Sequence, residues 1–182
     1  RLWTGRKCGN PCLRCGRTQE VLYYIRRIKE EGLVTGHGDF DVYVDSPLAV
    51  EATQVFKKNM LDCYNEETKA LVKKGINPIA FKGLKLSVSS QESIAINFDD
   101  KPRLSSLLPA CRDAGRIRHH LKHNLWKKES TICFVGYQAV GTLGRKLIEG
   151  AECVKLFGET VEVNAKIESL KGISGHADRN GL

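Results

Sequence analysis

Four stretches of this sequence combine residue types and spacings that can do chemistry. Ser174-Gly175-His176-Ala177-Asp178 sets a histidine among small residues. An imidazole titrates near neutrality, so His176 suits proton transfer, and a cap or core position equally well. A second stretch carries Arg116, Arg118, His119, His120, Lys122 and His123. His119 and His123 stand four apart, a spacing that brings two side chains to one helix face, as in metal-binding pairs. No acid lies between them in the H-E-x-x-H manner, which argues against a metallopeptidase. Five of the six residues from Arg118 to His123 are His, Lys or Arg, which suits contact with a polyanion or a solvated basic face.

The third stretch, Gly136-Tyr137-Gln138-Ala139-Val140-Gly141-Thr142-Leu143-Gly144-Arg145, follows the apolar run Thr131–Val135. Glycines at a strand-to-helix turn let backbone N–H groups approach an anion, and a helix N-terminus favours negative charge. Arg145 can add a charge-assisted contact to phosphate. The spacing fits neither the P-loop nor the dinucleotide fingerprint, and a tight turn with packing glycines accounts for the same residues. The fourth stretch, Cys8, Cys12 and Cys15, has the C-x3-C-x2-C spacing that can hold three irons of an iron–sulfur cluster, but the sequence offers no evident fourth ligand.

These stretches must be positioned by a fold. With 182 residues, 41% hydrophobic and 27% charged, the chain fits one ordinary soluble domain. No apolar run approaches the roughly 18 residues of a membrane span, and the first sixteen residues lack the apolar centre of a signal peptide. The expectation is a cytoplasmic protein. Seven cysteines are an odd number, and without a secretion signal they do not read as a disulfide framework. The net charge is +8, of which Arg1, Arg6, Lys7, Arg14 and Arg17 supply five. Attraction for phosphate backbones follows from such charge, but its concentration at one end makes it weak evidence.

Thr18 can cap a helix over Glu20–Glu31 that Gly32 stops. Asp41–Asp45 reads as a strand, and Ser46-Pro47 opens a helix through Leu48–Lys58. Glu66–Lys74 is a helix ended by Gly75. Leu84–Val88 is a strand and Ser90–Ile96 a short helix. Gly115–Leu125 is a cationic helix, Thr131–Val135 a strand, and Thr142–Ile148 a helix ended by Gly150. Val154–Phe157 and Thr160–Ile167 are strands about the Gly158 turn. This alternation predicts an α/β fold, a layered, largely parallel sheet with flanking helices.

Six segments carry a resemblance when taken in order: Gly16-Arg17-Thr18-Gln19-Glu20, Val44-Asp45-Ser46-Pro47-Leu48-Ala49, Ala114-Gly115-Arg116-Ile117-Arg118-His119-His120-Leu121-Lys122-His123, Val135-Gly136-Tyr137-Gln138, Gly141-Thr142-Leu143-Gly144-Arg145 and Ser174-Gly175-His176-Ala177-Asp178. Each is short, but together the chain resembles bacterial β-CASP metallo-β-lactamase-fold RNA hydrolases, similar to RNase J and to the endonuclease of the eukaryotic pre-mRNA cleavage machinery. The resemblance implies an α/β β-CASP domain over residues 16–165. Residues 166–182 would begin the return to the metallo-β-lactamase and RNA-specificity part. In that family two zincs, held by H-x-H-x-D-H and further His and Asp ligands, activate a water that attacks the RNA phosphodiester. His176 is implied to be the general acid, with its carboxylate partner upstream of this chain. Arg116, Arg118, His119, His120, Lys122, His123, Gly141, Thr142, Arg145 and Ser174 are implied as RNA contacts. RNA is the implied partner, with no membrane, and the full-length family suggests a homodimer.

The departures from the family are specific. The histidines are His37, His119, His120, His123 and His176, so H-x-H-x-D-H is absent. This stretch is therefore expected to bind no zinc and to be inactive alone. Residues 1–15 are atypical, because the family has an apolar strand of the N-V-V-I-P-A-F-A-V-G type there. The codons AAATGTGGTAATCCCTGCCTTCGCTGTGG would encode Lys7–Gly16, and shifted by one base they read N-V-V-I-P-A-F-A-V-G. The codons CTGTCATCTCTGCTTCCGGCATGT would encode Leu104–Cys111, and shifted by two they read the family-like V-I-S-A-S-G-M. Out-of-frame translation in both places would account for four cysteines, Cys8, Cys12, Cys15 and Cys111. Two rival functions remain: a non-catalytic RNA-binding module, and an iron–sulfur or zinc protein built on Cys8, Cys12 and Cys15.

Overall fold

The computed structural model describes residues 7–11, 17–36, 39–99, 101–107, 115–135 and 137–170. Strand β1 is Lys7–Pro11 and helix α1 is Arg17–Glu30. The helix starts ahead of the expected Glu20, because Thr18 lies inside its first turn, 1% exposed, and is not its cap. Val21, Leu22 and Ile25 form its buried stripe. Gly32, at φ 62°, closes it: the Gly32 N–H donates to Lys29 O at 3.2 Å and the Leu33 N–H to Ile28 O at 3.1 Å.

β2 is Asp41–Asp45 and α2 is Pro47–Lys58, opened by Ser46 Oγ accepting from the Ala49 N–H at 3.3 Å with Pro47 in the first turn. A one-turn α3, Met60–Cys63, precedes α4, Glu66–Lys73. β3 is Leu84–Ser87, and α5, Ser90–Phe98, is opened by a capping box of Ser89 and Glu92. β4 is Arg103–Leu107, α6 is Arg116–Asn124, β5 is Ser130–Val135 and α7 is Leu143–Ile148. β6 (Cys153–Leu156), β7 (Glu159–Glu162) and β8 (Lys166–Leu170) follow.

Six strands form one sheet in the order β3-β2-β4-β1-β5-β8, and each neighbouring pair is parallel. The expected parallel α/β architecture is therefore present. β6 and β7 form a separate antiparallel hairpin, with Leu156 opposite Glu159 across Phe157-Gly158. The strand expected over Thr160–Ile167 is two strands. The Asn164 and Ala165 N–H groups both donate to Leu125 O at 2.8 Å, which takes the chain out of the hairpin before β8 joins β5.

Strand alternation divides the core between the two faces of the sheet. Val42, Val44 and Leu104 pack with Val21, Leu22 and Ile25 of α1 and Ala49 of α2. Ile132 and Phe134 pack with Leu121 and Leu125 of α6, Leu147 of α7, and Val154, Leu156 and Val161 of the hairpin. Cys133, between Ile132 and Phe134, packs on the first core. The two central strands, β4 and β1, are those that the sequence did not suggest. They read R-L-S-S-L and K-C-G-N-P, and Arg103 and Ser105 are buried, at 3% and 7% exposed. Parallel strands covered on both faces are ordinarily continuous Val, Ile and Leu.

Candidate functional site

In an open parallel sheet, ligands bind beyond the carboxyl ends of the strands. At that edge β2 ends in Asp45, whose side chain is wholly buried. Its Oδ1 accepts from Ser87 Oγ at 2.8 Å and from Arg116 Nη1 at 2.7 Å. Its Oδ2 accepts from Ser93 Oγ at 2.5 Å and from His120 Nε2 at 2.6 Å. Burial works to raise the Asp45 carboxyl. Hydrogen bonds from His120, Ser93, Ser87 and Arg116 outweigh burial and hold the group at about 2. An ionised carboxylate can only accept, so His120 carries its proton on Nε2. Arg116 also donates to the carbonyls of Ser87 and Val88. The network thus ties the ends of β2 and β3 to the starts of α5 and α6.

This accounts for two of the six cationic positions. Arg116 and His120 lie one turn apart and face inward on Asp45, and His120 is only 5% exposed. His120, expected from the resemblance as an RNA contact, is buried here and hydrogen-bonded to a carboxylate, which leaves little of its ring open to a phosphate. His123 packs against Phe98, ring centroids 5.8 Å apart, and its pKa is lowered by burial and then by Lys127, His120, Lys122 and His119. The outward face holds Arg118 and His119, both against Phe157 of the hairpin turn, at 4.9 Å and 4.4 Å from its ring centroid. Lys122 Nζ reaches Glu159 at 2.7 Å.

Arg118 meets the glycine-rich turn across an open groove. Gly141, Lys146, Lys155 and Thr160 line it with Arg118. Thr142 Oγ1 caps α7, accepting from the Arg145 N–H at 3.3 Å and donating to Ala139 O at 2.7 Å. Gly141 at φ 84° supplies the left-handed turn. Arg145 points along α7 to Glu149 at 2.6 Å, and that interaction raises its pKa. The sequence did not single out Lys146, Lys155 or Phe157; Lys146 next to Arg145, and a bulky residue in place of Asn before Gly158, were the available signals. Ser174 and His176 lie outside the described residues, as do Cys12 and Cys15. The Cys133 thiol is pushed up to about 11 by burial and then by Glu168, which makes it an inert core thiol.

Residues 18–147, well over half of the chain, match the Beta-Casp domain family. The chain belongs to the β-CASP family. Residues 160–182 of this β-CASP chain also match the Zn-dependent metallo-hydrolase RNA specificity domain. It is 32% identical over 183 residues to ribonuclease TTHA0252 of Thermus thermophilus, covering 100% of this chain and 41% of that protein. It is 30% identical over 178 residues to an RNase J-like protein of Methanocaldococcus jannaschii, covering 98% of this chain and 39% of that protein. It is 27% identical over 177 residues to transcription termination factor FttA of Methanosarcina mazei, covering 94% and 27%. This β-CASP chain thus spans between about a quarter and two fifths of the length of these relatives. Among the described residues no three His, Cys, Asp or Glu side chains come together as a metal ion requires. No helix among them is long and apolar enough to cross a membrane.

Proposed function

We propose that this chain is the RNA-gripping β-CASP portion of a zinc-dependent RNA phosphodiester hydrolase, without hydrolytic activity by itself. The observation that carries the reading is the groove in which α6 and the glycine-rich turn, the two cationic segments of the resemblance, meet with Arg118, Lys146 and Lys155 on its walls. Lys122 and Arg145 contribute less, because each must first leave a carboxylate, Glu159 or Glu149. In the longer protein, proposed to be cytoplasmic and homodimeric, His176 donates the proton to the leaving oxygen and Ser174 contacts RNA. Residues 16–165 form the β-CASP domain and 166–182 begin the return segment.

The test is fluorescence anisotropy of the chain with a labelled single-stranded RNA across a salt series. Affinity should fall steeply with salt. The Arg118→Ala, Lys146→Ala double variant should weaken binding and reduce the log–log slope by roughly 0.7 for each phosphate it no longer neutralises. An unchanged slope and affinity would return this face to solvent.

A second reading, that residues 1–15 and 104–111 are translated out of frame, is supported by the central strands. β1 and β4 stand where a doubly covered sheet calls for apolar residues, yet carry K-C-G-N-P and R-L-S-S-L. Resequencing the source DNA tests it. A neighbouring frame should restore apolar strands, and stops in every alternative frame would refute it.

A further inference from the structure

The β6–β7 turn has an unexpected occupant. Phe157 and Gly158 both have positive φ, 53° and 83°, between the paired residues Leu156 and Glu159. This is the two-residue hairpin turn that favours Asn-Gly, and a bulky side chain there is a backbone outlier. Such outliers mark positions where something besides folding sets the residue. Phe157 remains 45% exposed, although the His119 ring lies 4.4 Å from its ring at 31° and the Arg118 guanidinium lies over the ring, 4.9 Å from its centroid. A partly exposed Phe157 is therefore paired with an imidazole and carries a cation over its ring.

That cation also lines the groove with Lys146 and Lys155. Neither lysine has an ion-pair partner among the described residues. Glu159, the carboxylate next to the turn, is held by Lys122 at 2.7 Å. Exposed aromatic faces joined to a positive track are the elements by which proteins hold single-stranded nucleic acid, bases stacking on the rings and phosphates following the cations. Bases inside a duplex have both faces covered by their neighbours and cannot use such a platform.

We propose that Phe157, backed by His119, is a stacking platform for an unpaired base, at the end of a phosphate track formed by Arg118, Lys146 and Lys155. The hairpin thereby selects single-stranded over duplex RNA. This inference rests on the RNA-binding reading above.

The experiment compares a labelled 12-nucleotide oligoadenylate with a 12-base-pair RNA duplex on the same 182-residue chain. Phe157→Asn should bind oligoadenylate roughly tenfold more weakly, within the range one stacked base contributes, and leave duplex affinity unchanged. Its melting temperature should hold or rise, since Asn fits the turn better than Phe. Phe157→Leu, which keeps an apolar side chain without a π-face, should behave like Phe157→Asn, and Phe157→Trp should bind like the original. If Phe157→Asn and Phe157→Leu bind oligoadenylate as the original does, or if both RNAs lose affinity equally, the platform is refuted and the basic groove can stand. If the unaltered chain binds neither RNA, the RNA-binding reading itself falls.

Discussion

Replacing Asp45 with Asn removes one negative charge from a site where four donors converge at 2.5–2.8 Å. The amide of Asn keeps one acceptor oxygen and turns an NH2 group toward donors. Either Arg116 with Ser87 or His120 with Ser93 then loses its acceptor. Breaking a buried ion pair by removing one partner costs about 3–5 kcal/mol. At roughly 2–4 °C per kcal/mol for a chain of this size, the melting temperature should fall by about 10 °C. A second signature separates the charge from the packing. The folded-state pKa of Asp45 is depressed to about 2, so its contribution is present above the ordinary carboxylate value and is lost as pH falls through the folded value. The shift corresponds to about 2 kcal/mol. Urea titrations at intervals between pH 2 and pH 5 should show the unaltered chain losing about this much more stability than Asp45→Asn. An Asn variant within about 0.5 kcal/mol of the original, with the same acid dependence, would show that the network does not hold these elements together.

Three further outcomes are expected. Ser46→Ala should lower stability by about 1 kcal/mol in the same urea assay, because it deletes the cap of α2 at Ala49 N; no change would mean that the Pro47 start suffices. Elemental analysis of chain purified without chelators should find neither zinc nor iron in stoichiometric amount, and about one tightly held metal per chain would revive the Cys8, Cys12, Cys15 reading. In an intact longer relative, replacing the histidine corresponding to His176 with Ala should slow single-turnover cleavage by ~10²–10⁴-fold while RNA affinity and zinc content hold. Normal cleavage, or failure only through lost zinc, would remove it from the acid role.

What the sequence discloses here follows what is local. α2, α4 and α5 are legible because Ser46, Asn65 and Ser89 cap them within three residues. β2 and β5 are legible because their apolar residues are contiguous. β1 and β4 are not, since K-C-G-N-P and R-L-S-S-L carry no strand pattern, and only their neighbours in the sheet make them strands. The break between β7 and β8 is hidden because T-V-E-V-N-A-K-I alternates straight through it, and Leu125 O, far off in sequence, takes both N–H groups. The cations of α6 are visible in the sequence, but not which of them face inward. That is decided by Asp45, 71 residues before Arg116 and 75 before His120.

The position of β1 sets a schedule for synthesis. Lys7–Pro11 lies between β4 and β5, with Lys7 opposite both Arg103 and Ser130. Its second partner is made about 120 residues after it, which at ~5–20 residues per second leaves this strand waiting roughly 6–24 s on the ribosome. Its neighbours draw on nearer material: the buried residues of the first core lie within residues 21–104 and those of the second within 121–165. The two faces can therefore be assembled in turn as the chain emerges, and β1 can take its place between β4 and β5 only once β5 is made, before β8 extends the sheet beyond β5. K-C-G-N-P is too polar and too broken by Gly and Pro to aggregate while it waits, whereas the apolar strand that a neighbouring reading frame would restore must spend that interval shielded from neighbouring chains.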